Sequence, residues 1–124
     1  MSVFWYSKTD KTCYATIYSS NITLNKSSLE LIDNAYKVKL GLDKEKKLII
    51  ISPLTKEQCD LNTIDETYLF NITFHSSYAR IASTDFILFL SNEFNLDLNK
   101  KPKKFLASYD KKLQALIIDL GKEI

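Results

Sequence analysis

The side chains that could do chemistry are few, and their spacing does not favour a metal centre or a catalytic pair. His75 is the only histidine, and Cys13 and Cys59 lie far apart without a neighbouring Cys or His partner. Zinc sites need several such ligands at short, characteristic spacings. With two isolated cysteines, a disulfide framework is not implied either. We therefore expect no metal site and no cofactor.

The acidic residues and the glycines favour a protein that is not an enzyme. The acids form no clustered pair with a suitable acid–base partner. Neither Gly41 nor Gly121 opens a glycine-rich loop of the kind that holds phosphates. We predict a non-enzymatic protein.

Basic and aromatic side chains offer binding chemistry instead, each with a simpler alternative. The run Lys100–Lys104 could hold phosphates, although such a run is more often a solvated loop. Arg80 is the only arginine, and it could equally anchor an acid such as Asp85. Four aromatic residues could form a stacking platform for single-stranded nucleic acid, but a hairpin packed into the core is favoured. They are Phe4, Trp5, Tyr6 and Tyr14.

Length and composition indicate one domain spanning residues 1–124. The chain is 45% hydrophobic and carries a formal net charge of +2, so it is not a strongly basic nucleic-acid arm. Its longest apolar runs, Leu48–Ile51 and Phe86–Leu90, are too short to cross a bilayer. The first residues do not read as a secretory signal. We expect a cytoplasmic protein with no membrane partner.

One pattern occurs twice along the chain and predicts the architecture. Residues 36–51 read YKVKLGLDKEKKLIII, and residues 104–118 read KFLASYDKKLQALII. Each is a strand, a charged turn that begins with Asp-Lys, and a second strand ending in an apolar run. Each also follows an apolar, helix-like stretch. A repeated half-domain of this size indicates a pseudo-symmetric body.

The segments before the two hairpins complete the predicted units. Ser27 and Glu30 have the spacing of a capping box, which predicts a helix over residues 27–36. Ser83 or Thr84 is the expected N-cap of a second helix, Thr84–Phe94. A strand is expected over Thr67–Phe74, after a polar join at residues 57–66. The predicted fold class is α+β, with two pseudo-repeated β-α-β-β units (about residues 14–54 and 67–120) forming one mainly antiparallel, β-rich domain.

This layout resembles the AbrB/MraZ group of bacterial transcription regulators, and MraZ more closely, because MraZ holds two such units in one chain. The family motif before the helix is roughly Lys-Gly-Arg-(Val/Ile)-x-(Ile/Leu)-Pro. In the first unit, Asn21–Lys26 keeps its apolar frame but has Asn21 in place of arginine and Asn25 in place of proline. The second unit keeps the arginine in Ala79-Arg80-Ile81 but lacks the glycine and the proline.

The resemblance implies a transcriptional regulator that binds double-stranded DNA through a basic face and can form a homo-oligomer. By position in the motif, Arg80 and Lys26 would contact DNA. The aromatic and β-branched residues of Val3–Ser7 and Cys13–Tyr18 also predict an N-terminal hairpin, with residues 8–11 as its turn. Lys8 and Lys11 of this turn are added to the predicted DNA-binding residues, since a Lys/Arg cluster attracts phosphates. The alternative is a protein-interaction module on the same scaffold that has lost DNA binding and docks a protein partner at exposed strand edges.

Overall fold

The structure is a computed structural model, and it describes Val3, Trp5 and residues 11–61, 64–98 and 101–124. The described helices are α1 (Lys26–Glu30), α2 (Lys56–Asp60), α3 (Thr84–Phe94) and a 3-10 helix (Glu66–Tyr68). The described strands are β1 (Tyr14–Ile17), β2 (Asn21–Asn25), β3 (Lys37–Asp43), β4 (Leu48–Leu54), β5 (Phe70–Asn71), β6 (Thr73–Phe74), β7 (Tyr78–Ala82), β8 (Lys103–Asp110) and β9 (Ala115–Glu123).

All nine described strands belong to one sheet, in the order β5-β3-β4-β9-β8-β1-β2-β7-β6. Every pairing between neighbours is antiparallel. The prediction of a mainly antiparallel, β-rich domain with few helices is therefore confirmed. None of the described helices has the length and apolar content needed to span a membrane.

The sheet is nearly closed on itself, because its two end strands are consecutive in the chain. β5 pairs with β3 through Phe70 and Asn71, and β6 pairs with β7 through Thr73 and Phe74. Only Ile72 separates β5 from β6. One extended segment, residues 70–74, thus pairs first with β3 and then with β7. This brings the two ends of the sheet together into a barrel-like shape.

The interior is filled by the apolar residues that alternate along the strands. In β1 and β2 the burial alternates residue by residue, as expected for strands with one face in the core. Leu29 of α1, Ile32 just after α1, and Ile87 and Leu90 of α3 belong to the same cluster. The largest fully buried side chains are Phe105, Ile17, Ile22, Leu24, Ile32, Ile49, Ile51, Ile81, Ile87, Leu90, Leu116 and Ile118.

Helix α3 is fixed on both sides of the place where the sheet closes. Its N-cap is Ser83, one of the two predicted candidates, and the Ser83 hydroxyl accepts a hydrogen bond from the Phe86 backbone N–H at 3.2 Å. The rings of Phe86 and Phe70 lie 6.4 Å apart, and Glu93 forms a 3.2 Å ion pair with Lys44, just after β3. The helix therefore stabilises the closing segment and the end of β3 together.

Two local predictions from the sequence are wrong. The cap of α1 is Asn25 rather than Ser27, and the helix ends at Glu30 because the following residues form turns. The expected strand over Thr67–Phe74 begins instead as the 3-10 helix, which Asp65 caps by accepting from the Thr67 N–H. In both places a polar side chain two residues before the predicted position accepts hydrogen bonds from the first backbone N–H groups, and this changes where the element starts.

The turns of the two long hairpins each contain a residue in the left-handed backbone region. Lys47 has φ 58° and Gln114 has φ 51°. This conformation costs a residue with a Cβ roughly 1–2 kcal/mol, whereas glycine adopts it freely. Both turns therefore store strain that the paired strands must offset.

We expect Lys47→Gly and Gln114→Gly each to raise the free energy of unfolding by about 0.5–1 kcal/mol, because relief of the strain exceeds the added entropy of glycine in the unfolded chain. Urea unfolding measures this change. Lys46→Gly is the control, since Lys46 lies in the same turn without a positive φ; it should lower stability by a few tenths to about 1 kcal/mol. Equal destabilisation at all three positions would contradict the strain assignment.

Candidate functional site

The outer face of β8, β1, β2 and β7 forms an open groove of about 500 Å³. We call it the outer groove. It lies on the opposite side of the sheet from the core, since its strand residues alternate with buried Ala15, Ile17, Ile22, Leu24 and Ala79. The lining residues are Tyr14, Thr16, Tyr18, Asn21, Thr23, Asn25, Ser77, Tyr78, Arg80 and Lys104.

The middle of the groove is a row of side chains that runs across four strands. Thr16 of β1 pairs with Lys104 of β8 on one side and with Thr23 of β2 on the other. Thr23 in turn pairs with Arg80 of β7. At the usual spacing between strands, the two cations are roughly 14 Å apart at the backbone, with two threonines between them.

Tyrosines flank this row on both sides. In one neighbouring row, Asn25 pairs with Tyr78, and its side-chain oxygen accepts a hydrogen bond from the Tyr14 N–H at 3.0 Å. In the other neighbouring row, the Tyr18 N–H donates to the Asn21 carbonyl at 2.8 Å. Strand pairing thus places three tyrosines around the Lys–Thr–Thr–Arg row.

The charge of the groove has one sign. Among the described residues that line it, none is acidic, and two, Arg80 and Lys104, are cationic. Within the described part of the chain, neither cation forms a salt bridge. The Lys104 ammonium lies 4.5 Å from the centre of the Tyr14 ring, a cation–π arrangement that leaves its charge uncompensated. The groove is therefore suited to an anionic ligand.

Asn25 holds the groove's wall and α1 in place together. Its Oδ1 caps the helix by accepting from the Ser28 N–H at 3.2 Å, and also accepts from the Tyr14 N–H. Its Nδ2 donates to the Thr12 carbonyl at 2.8 Å. The buried Ser28 hydroxyl donates to the Tyr14 carbonyl at 3.2 Å. Asn25 therefore fixes the backbone that carries Tyr14.

The structure brings together only part of the predicted DNA-binding set. Arg80 lies in the outer groove. Lys26 is exposed at the first position of α1, directly after Asn25, and Lys11 is exposed before β1; neither lines the groove. Lys8 lies outside the described residues. Of the three predicted residues that the structure describes, only Arg80 lines the groove.

Two contributors to the groove were underestimated from the sequence. Lys103 and Lys104 belong to β8 rather than to a solvated loop, so the run Lys100–Lys104 does not lie wholly in a loop. Tyr14 was expected in the core, yet it is half-buried and faces the groove. The alternation of β1 carried the necessary signal, because Ala15 and Ile17 occupy the inward positions and leave Tyr14 and Thr16 outside.

The described residues show little that is typical of catalysis. No group of three or more His, Cys, Asp or Glu side chains in this part of the chain is placed to hold a metal ion. Cys13 and Cys59 are free thiols. Hydrogen bonds from the backbone and hydroxyl of Thr67 hold the pKa of Asp65 below its usual value, but Asp65 caps the 3-10 helix and does not line the groove.

Comparison of the chain with protein-family models, with curated protein sequences and with solved structures gives no match.

We expect Asn25→Ala to lower the free energy of unfolding by about 1–2 kcal/mol, since it removes a helix cap and leaves the Thr12 carbonyl and Tyr14 N–H without this partner. Chemical denaturation measures the loss. Asn21→Ala on the same strand is the control: its side-chain bonds go only to the Ser20 and Thr23 hydroxyls, so its effect should stay within about 0.5 kcal/mol. Equal losses at both positions would show that Asn25 has no special role.

Proposed function

We propose that this protein is a non-enzymatic, cytoplasmic DNA-binding protein of the transcription-regulator type, and that the outer groove is its DNA-contacting surface. The observation that carries the proposal is the row Lys104–Thr16–Thr23–Arg80, which presents the Thr16 hydroxyl and two cations that form no salt bridge within the described residues. The described residues that line the groove include no acid. Arginine and lysine neutralise phosphates, and threonine hydroxyls donate hydrogen bonds to phosphate oxygens.

The polar groups of the groove are suited to a polynucleotide. Asn21, Asn25 and Ser77 add amide and hydroxyl groups around the cations. Nucleic-acid backbones are held by such mixed contacts, in which charged groups supply affinity and neutral donors fix the position of the chain. The small net charge of the whole protein does not oppose this, since the local field of the groove acts on the ligand.

The finer fold assignment, two pseudo-repeated units like those of the AbrB/MraZ group, is part of the same proposal. The two hairpin turns support it, because they match residue for residue. Asp43 accepts from the backbone N–H three residues later, and Asp110 does the same. Lys47 and Gln114, which follow at the same distance from these aspartates, both adopt the left-handed conformation.

The strand pairing gives independent support for a repeat. The first unit is β1-β2-α1-β3-β4, and the second consists of β5/β6, β7, α3, β8 and β9. If each element is exchanged with its counterpart in the other unit, every described pairing becomes a pairing that the sheet also contains. β2 with β7 and β4 with β9 map onto themselves, and β1 with β8 maps onto β5 with β3. Ile50 and Ile117, at equivalent positions in the two hairpins, are direct partners in the sheet.

The protein-interaction alternative has weaker support. It relies on a free strand edge, and within the described residues the candidate is the side of β3 from Lys39 to Asp43, where β5 no longer pairs with it. Helix α3 is anchored at both ends of this stretch, by the Phe86–Phe70 contact and the Glu93–Lys44 ion pair. Strand addition there would have to displace the helix.

We expect Arg80→Ala and Lys104→Ala each to weaken DNA binding, and each to lower the steepness of the salt dependence by a little under one unit of log K per log salt. Fluorescence anisotropy with a labelled random-sequence DNA pool, containing single-stranded and duplex molecules and titrated across a salt series, measures both effects. Lys112→Ala is the matched control, because Lys112 lies in the turn at the other end of β8.

A second pair of variants tests the sign of the charge rather than the loss of a side chain. Thr23→Glu places a carboxylate beside Arg80 in the middle of the row and should abolish DNA binding. Thr23→Gln places a neutral side chain of nearly the same size as glutamate there and should retain most of the DNA binding. Both variants lack the Thr23 hydroxyl that donates to Asn21, and thermal unfolding of each checks that it is folded before binding is compared. Equal binding by the two, or no binding of the DNA pool by the unmodified protein, would refute the proposed function.

A further inference from the structure

Three tyrosines line a groove in which two cations would suffice to attract DNA. Tyr14 begins β1, Tyr18 directly follows its last residue, and Tyr78 begins β7 on the far side of β2. All three are wholly or partly open to solvent, Tyr18 the most at 39% exposed. A tyrosine on an open sheet face gives up solvent contact only when a ligand covers its ring.

The rings already take part in face-to-face contacts of the kind that a base would make. The imidazole of His75 stacks on Tyr78, with ring centres 4.4 Å apart and planes inclined by 20°. Lys104 lies over the ring of Tyr14. Tyr18 has no ring partner within the described residues and lies in the row beside Asn21.

An aromatic face is useful for an unpaired base and of little use for a duplex. In a duplex the bases are stacked on one another and show only their edges in the grooves, whereas the bases of a single strand expose their π-faces. Proteins that bind single strands combine a positively charged groove with aromatic side chains on which bases stack. The outer groove has both elements on the same face.

The small number of cations in the groove also favours a single strand over a duplex. Two phosphate contacts supply limited electrostatic affinity, and that affinity falls with salt. Stacking adds binding energy that does not depend on charge. A groove with two cations and three tyrosines therefore favours a ligand whose bases are accessible.

We propose that the outer groove binds a single, unpaired strand of nucleic acid, with phosphates at Arg80 and Lys104 and bases stacked on Tyr18 and on the Tyr78–His75 pair. This inference rests on the proposed function and specifies the state of the DNA that the groove accepts. Duplex DNA, the form implied by the resemblance of the sequence, is then the weaker ligand.

The first test compares one labelled oligonucleotide of about 16 nucleotides as a single strand and after annealing to its complement. Fluorescence anisotropy at low salt should show at least a tenfold tighter complex with the single strand. Equal or tighter binding of the duplex would overturn this inference and leave the proposed function standing. Binding of neither form would overturn the proposed function itself.

The second test removes the stacking surface while keeping the charge. Tyr18→Ala should weaken single-strand binding by about 5- to 150-fold, the range for loss of one base–aromatic stack. Tyr18→Phe keeps the ring and should bind within about threefold of the unmodified protein. Tyr68→Ala is the control, because Tyr68 is 64% exposed in the 3-10 helix and does not line the groove.

Tyr78→Ala gives a second reading at the stacked pair and should show a similar loss for the single strand. Thermal unfolding of each variant confirms that it is folded before its binding is compared. If folded Tyr18→Ala and Tyr78→Ala both bind the single strand as tightly as the unmodified protein, the stacking inference is refuted.

Discussion

The fold depends on the five-residue segment from Phe70 to Phe74, which pairs with two different strands. Without it, β3 and β7 would each present a row of unpaired backbone N–H and C=O groups at an open edge. Its first residues pair with β3 and its last with β7, so both ends of the sheet are at least partly satisfied by one stretch of chain. The Phe70–Phe86 contact then holds the segment against α3.

Closure determines what the two faces of the sheet must contain. The interior of a small closed sheet has room only for side chains, and isoleucine, leucine and one phenylalanine fill it here. All polar and charged groups on the strands must then lie outside. Where β8, β1, β2 and β7 form the outer groove, the described lining residues are hydroxyl and amide side chains, tyrosines and two cations, so the groove follows from closure combined with this local choice of residues.

Much of the local structure could be predicted from the sequence, because it depends on neighbouring residues. The period of two along β3, the Asp-Lys turns, and the cap at Ser83 are all local signals. The pairings β4–β9 and β1–β8 join residues more than sixty positions apart, and no spacing in the sequence specifies them. The groove depends on the second of these, since it brings Lys104 beside Thr16. The lysine-rich composition therefore favours a loop where the structure has a strand residue that lines the outer groove.

Asn25 has a clear structural role at a position where the sequence departs from the motif that it resembles. The family motif has proline at this position, and proline has no side-chain donor or acceptor. Asparagine here caps α1 and fixes Tyr14 beside the groove, so the departure from the motif has a structural role of its own. The arginine of the motif survives only in the second unit, as Arg80, and its direct strand partner in the first unit is Thr23.

The outer groove is a joint product of the two halves of the chain. Its two cations come from β7 and β8 in the second half, whereas Tyr14 of β1 and Tyr18, which follows β1, come from the first. If the halves are repeats, neither carries the groove alone, because the pairings β2–β7 and β1–β8 create the row that joins them. A symmetric pair of units would place the same groups on both sides of that row. The groups at its two sides therefore differ, with Lys104 and Tyr14 at one side and Arg80 and Tyr78 at the other, and this gives the groove a direction.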